Sequence, residues 1–151
     1  MPSTAQQTTF VAEAFVEVET PLLFKKILFP VQFDRITIPA LEMVTHLVRQ
    51  SDRFIYLLCV IPEDTPDIRQ LANDALLGVA HNWLDGKTPH ETIVRVGKPA
   101  PEIVKLEEEL DVDLVVMATH GRKGEKYDKL GSVTEQVVRD STRPVLTIRP
   151  R

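Results

Sequence analysis

Apolar residues along this chain fall into two alternating patterns: short runs that are apolar almost throughout, and longer stretches apolar at every third or fourth position. The runs are 27–29 (I-L-F, stopped by Pro30), 54–61 (F-I-Y-L-L-C-V-I), 92–96, 114–119 and 145–148. Short runs rich in branched side chains predict strands buried on both faces. Between them, 36–48 is apolar at 40, 41, 44, 47 and 48, and 67–84 carries the stripe Ile68, Leu71, Ala75, Leu76, Val79, Ala80 and Trp83. Residues 100–110 are apolar at 103, 104, 106 and 110, and 132–140 has similar spacing. This is the period of a helix with one face on a core. Pro39 falls in a first turn, where proline is tolerated, and Glu102 in another, where it favours the helix dipole. Ser132 with Glu135 three residues on predicts a capping box with Ser132 as N-cap. The order βαβαβαβαβ predicts an α/β fold with a parallel sheet between two layers of helices.

One segment has a different period. In 12–19 (A-E-A-F-V-E-V-E), Ala12, Ala14, Val16 and Val18 alternate strictly with other residues. That predicts a half-buried antiparallel strand, with a short helix as the rival reading. Pro21 separates it from the 27–29 run, and residues 1–9 are polar. The expected division is therefore an extension, 1–23, and a domain, 24–151.

Composition narrows the classes of function. With 151 residues, 43% of them hydrophobic and 26% charged, the chain suits one domain with a sizeable core. A net charge of −4 argues against general binding to nucleic acid or an anionic membrane. Cys59, the single cysteine, lies in an apolar run, so it reads as a small buried group rather than a redox site. No run approaches the ~18 apolar residues of a membrane span, and no secretory signal is visible. The expected location is the cytoplasm.

Chemistry concentrates in 114–133. An apolar strand leads into a loop with Gly121, Gly124 and Gly131 and the cations Arg122, Lys123, Lys126 and Lys129; Ser132 then opens a helix. Glycines let backbone N–H groups approach an anion without a Cβ clash, and a helix start offers unpaired N–H groups and a positive dipole end. Strand, glycine-and-cation loop and helix start together predict a phosphate cradle. Taken singly, the glycines are turn residues and the cations a solvated surface. His120 reads as a loop-orienting or phosphate-contacting group rather than a base, since no nucleophile with a carboxylate partner surrounds it. His46, His81 and His90 lack the mutual spacing of metal ligands.

Four segments stand out between Lys25 and Arg149: K-K-I-L-F-P, G-K-P-A-P-E-I-V, D-V-D-L-V-V-M-A-T-H-G and G-S-V-T-E-Q-V-V-R-D-S-T-R-P-V-L-T-I. In these the chain resembles the universal stress protein family, in its nucleotide-binding branch. The resemblance implies a five-stranded parallel sheet of order 3-2-1-4-5, with ligands held beyond the carboxyl ends of the first and fourth strands, at the topological switch. It also implies a homodimer paired through the last strands. Family members that bind ATP carry G-x-x-G, nine residues, then G-S or G-T. Here A-T-H-G precedes the nine residues 122–130 and G-S, so Gly121, Gly131 and Ser132 match and Ala118 replaces a glycine. Gln32 stands where binders have Asp after the first strand, with Asp34 two positions further.

The resemblance assigns Pro30, Val31, Gln32 and Val60 to base and ribose. Met117, Ala118, His120, Gly121, Arg122, Gly131, Ser132 and Val133 fall to ribose and phosphates, and Val60 and Met117 also line an adenine slot. Mg²⁺ or Mn²⁺ accompanies the phosphates. Ala118 costs little if its φ is negative and about 1 kcal/mol or more if positive. Together with the lost charge at Gln32, the expected penalty is roughly 1–3 kcal/mol, ten- to a hundredfold in affinity. The function implied is a stress-response protein binding ATP or a related adenine nucleotide. Hydrolysis is at most slow, because no positioned general base or Walker-type lysine is evident. The alternatives are a nucleotide-free dimeric adaptor for a protein partner and a cyclic-nucleotide sensor.

Overall fold

The computed structural model describes residues 24–32, 37–48, 53–119 and 131–149. The strand expected at 12–19, Asp34, and the loop with His120, Gly121 and Arg122 lie outside the described residues. Within them the chain runs β1 (Lys26–Pro30), α1 (Thr37–Val48), β2 (Phe54–Ile61), α2 (Pro66–Trp83), β3 (His90–Val96), α3 (Pro99–Glu109), β4 (Leu114–Ala118), α4 (Ser132–Asp140) and β5 (Val145–Ile148). All five strands are parallel, in the order β3-β2-β1-β4-β5.

Strand periodicity splits the core in two. Ile27 and Phe29 of β1, with Ile55 and Leu57 of β2, face α1 and α2, which supply Ala40, Leu41, Val44, Ala72, Leu76 and Ala80. Leu28 and Leu58, one residue out of step, face α3 and α4 and meet Ala100, Ile103, Leu106 and Val137. Side chains alternate between the faces of a strand, so a strand covered on both sides must be apolar at every position. That is why 27–29 reads as an unbroken run: all three residues are 0% exposed.

Helix ends show what local chemistry adds. Thr65 caps α2, its hydroxyl accepting from the Ile68 amide at 3.3 Å, and Pro66 takes the first helical position. The helix therefore begins one residue before the sequence reading. Leu71, counted there in the apolar stripe, is 72% exposed, while Ala72 is buried in its place. β3 begins two residues earlier than expected, because His90 and Glu91 pair with Ile55 and Tyr56 despite their polarity.

α3 ends in a Schellman motif. The amide of Val112 bonds to the Glu107 carbonyl and that of Asp111 to the Glu108 carbonyl, with Asp111 at φ 51°. Glu107 itself is fully buried; its carboxylate accepts from the Ser141 hydroxyl at 2.7 Å and the Thr142 amide at 3.0 Å. This ties α3 to the turn between α4 and β5. At the start of β1, Asp113 accepts from the amides of Lys25 and Lys26, both at 2.9 Å. Its own amide bonds the Lys26 carbonyl at 2.8 Å.

Candidate functional site

The sheet order places the carboxyl ends of β1 and β4 side by side, although their connections leave in opposite directions. A parallel sheet opens a crevice at such a point. β1 runs out through Pro30, and the Val31 amide bonds the Leu58 carbonyl of β2 at 2.7 Å. β4 runs out through Ala118. Beyond it the buried Thr119 turns both its amide, at 2.8 Å, and its hydroxyl, at 3.3 Å, to the Ile148 carbonyl of β5. Thr119 had no role in the sequence reading, yet these two hydrogen bonds tie the chain just beyond β4 to the end of β5.

On the α3/α4 side of this crevice, Met117 is buried in a cluster against which Val60 and Val133 pack half-buried. Alternation from Leu28 sets the buried Pro30 on the same side. Val60, Met117 and Val133, from three elements, thus share one apolar cluster, with Pro30 on the same face of the sheet. Two other predicted site residues belong to the opposite face. Val31 is buried among the side chains under α1 and α2, and Ala118 packs against that same cluster.

For Ala118 this decides a question the sequence leaves open. It is the last residue of β4, in register with Ile148, and the positive-φ non-glycine residues of the described chain are Phe24 and Asp111. Its backbone is unstrained and its methyl points away from Val60, Met117 and Val133. The steric penalty expected there is therefore small. Gln32, exposed just beyond β1, remains as the chemical departure.

The start of α4 corrects another expectation. Gly131, not Ser132, is the N-cap: its φ is −58° and ψ 152°, and its carbonyl accepts the first helical bond from the Glu135 amide at 2.8 Å. A glycine has no side chain to cap with, so the N-cap makes no side-chain bond to the first amides of α4. Glu135 pairs with Arg139 at 3.4 Å instead of reaching back. Ser132 is exposed as the first helical residue. With φ negative, the Gly131 conformation is one that any residue can adopt.

Cys59 is buried on the α1/α2 face, and burial pushes its thiol above the usual range, which makes it a poor nucleophile. Among the described residues no group of three or more His, Cys, Asp or Glu side chains is placed to hold a metal ion. No described helix is long and apolar enough to cross a membrane.

Residues 23–149 match the sequence profile of the universal stress protein family. A universal stress protein of Methanocaldococcus jannaschii, MJ0577, is 32% identical over 157 aligned positions, covering 85% of this chain and 96% of the relative. Its solved structure superposes with a TM-score of 0.75 at 30% identity, over 86% of this chain and 99% of that one. The fold is shared with an AMP-bound family protein of Arabidopsis thaliana (TM-score 0.63, 21% identity, 84% and 92% covered). It is shared also with a universal stress protein in complex with cAMP (0.64, 18%, 84% and 98%) and one of Archaeoglobus fulgidus in complex with dAMP (0.63, 17%, 84% and 99%).

Proposed function

The chain belongs to the universal stress protein family, and on that premise we propose that it binds an adenine nucleotide, ATP foremost, in the crevice between β1 and β4. The observation that carries this reading is that Val60, Met117 and Val133 share one apolar cluster at the start of α4, where the N-cap Gly131 has no side chain to offer the first amides. An adenine ring presents two apolar faces, which such a cluster suits. Phosphates suit unpaired amides at a helix start. Family structures holding AMP, dAMP and cAMP support the ligand class.

Gln32 would meet the nucleoside through its carbonyl and NH₂ without a charge. His120, Gly121, Arg122, Gly131 and Ser132 would meet the phosphates. Mg²⁺ or Mn²⁺ would travel with the nucleotide, its ligands being chiefly phosphate oxygens and water. The exposed Ser132 hydroxyl is available there. The reading is of a stress-response protein that binds its nucleotide with at most slow hydrolysis. It would act as a homodimer in the cytoplasm, paired through β5, at whose edge Leu146 is 37% exposed with Val138 of α4 nearby in sequence at 44%.

Calorimetric titration with ATP and Mg²⁺ tests it, with AMP and cAMP run alongside. The expected result is saturable heat, lost in Gly121→Val because a branched side chain would block amide approach. No heat at millimolar ATP overturns the reading and leaves the nucleotide-free adaptor. Tighter binding of cAMP than of ATP would make the protein a cyclic-nucleotide sensor.

A further inference from the structure

The two pairings of β4 end at different points. Its register with β1 stops at Leu28 with Val115, although β1 runs on to Pro30. Its register with β5 continues through Met117 with Thr147 to Ala118 with Ile148. Beyond Val115, then, β4 takes its strand pairing from β5. Met117, which shares the apolar cluster of Val60 and Val133, lies in that stretch. The part of the crevice that β4 supplies therefore rests on β5, an edge strand of four residues.

The two ends of β5 are held by different means. At its amino end the Val115 amide bonds the Pro144 carbonyl at 3.0 Å, and the buried Glu107 carboxylate holds Ser141 and Thr142. At its carboxyl end Ile148 is buried, and Arg149 after it is exposed. There the amide and the hydroxyl of Thr119 both bond the Ile148 carbonyl. The amide continues the β4–β5 ladder, and the hydroxyl adds a second donor to an oxygen with two lone pairs. Thr119 is 1% exposed. Valine has nearly the same shape and no polar group to satisfy, so packing does not account for a hydroxyl at this position. What the hydroxyl adds is an anchor at the end of a short edge strand, where local opening begins.

We propose that Thr119 is a positioning residue of the nucleotide site: by anchoring Ile148 it holds the carboxyl ends of β4 and β5 together and keeps Met117 set against Val60 and Val133. This rests on the nucleotide reading above. Thr119 acts through β5, which gives β4 the lateral support that β1 does not give beyond Val115. With Ile148 unanchored, the last pairs of the ladder open more often, and a nucleotide has to restore them as it binds. That cost appears as weaker affinity. The linkage is reciprocal, so bound nucleotide slows opening at this end of β5.

Two variants separate the hydroxyl from the methyl. Thr119→Val keeps the shape without the hydroxyl, and Thr119→Ser keeps the hydroxyl without the methyl. Amide exchange by NMR is read first without nucleotide. In Thr119→Val the amide of residue 119 is expected to exchange about three- to tenfold faster while that of Val115 is unchanged, and Thr119→Ser should match the native chain. A general loss of stability would speed both amides alike. Calorimetric titration with ATP and Mg²⁺ follows, at equal protein concentration. Thr119→Val should bind about three- to tenfold more weakly than the native chain, and Thr119→Ser within about twofold of it. Native affinity in Thr119→Val overturns the proposal, as does exchange that quickens equally at Val115. Thr119→Ser binding as weakly as Thr119→Val also overturns it, since the methyl would then be the group at work. A native chain that takes up no ATP fails at the nucleotide reading itself, and the proposal falls with it.

Discussion

A single methyl group changes how this site is read. Ala118 stands where nucleotide-binding relatives have glycine, and on sequence alone it counts against binding. In the structure its φ is negative and its methyl joins the core beneath α1 and α2, on the far side of β4 from the apolar cluster of Met117. Ala118→Gly is therefore expected to change ATP affinity by less than about threefold, since no contact with ligand is relieved. It should lower stability by roughly 0.5–1 kcal/mol, the usual cost of glycine inside an element. Gln32→Asp carries the opposite expectation for binding: affinity rises about three- to tenfold, the worth of one charge-assisted hydrogen bond. Titration calorimetry and urea denaturation on both variants separate the two. A large affinity gain for Ala118→Gly would mean that the ligand lies against the other face.

Among the elements, Glu107 does what no sequence pattern announced. It looks like one more charge on the polar side of a helix, yet it is 0% exposed and holds Ser141 and Thr142. The turn it anchors leads from α4 into β5. Glu107→Ala leaves the part-buried Thr142 amide without its acceptor, removes one of the partners of the Ser141 hydroxyl and opens a cavity, and should cost about 2–3 kcal/mol. Glu107→Gln keeps an acceptor and should cost about half as much. Thermal unfolding of the pair checks the order.

The period of apolar residues was enough to place all nine described elements, because strands covered on both faces and helices covered on one leave different spacings. Ends and exceptions were less legible. The early start of β3 at His90 depends on pairing with Ile55, and the exposure of Leu71 depends on how α2 sits over its strands. Long-range contacts decide both. The Gly131 cap was missed because a serine beside a glycine invites the hydroxyl reading; only the Gly131–Glu135 bond shows where the helix begins. Within the candidate site, Val60, Met117 and Val133 were identified by resemblance, but which strand face each residue served was not. Val31 and Ala118 went to the other side.

For the molecule as a whole, the candidate site spans two halves of the sheet. β1 and β2 bring Pro30, Gln32 and Val60, while β4 and α4 bring Met117 and the helix start. A ligand gripping both halves must stabilise the native state by mass action, by about 2.7 kcal/mol at a hundred times its Kd. The melting temperature should rise by several degrees with saturating ATP and Mg²⁺, and unchanged melting would contradict the site. The halves meet along an unequal seam. β1 is registered with β2 over five pairs and β2 with β3 over seven, but β1 meets β4 only at Ile27 with Leu114 and Leu28 with Val115. Asp113 rivets the amino end of that seam through Lys25 and Lys26, and the carboxyl end has the shortest overlap in the sheet. In mechanical terms the protein is hinged at one end and unlatched at the other, and a nucleotide lodged between β1 and β4 would be the latch. Pulled apart across this line, the two halves should part at a force that rises when the ligand is bound.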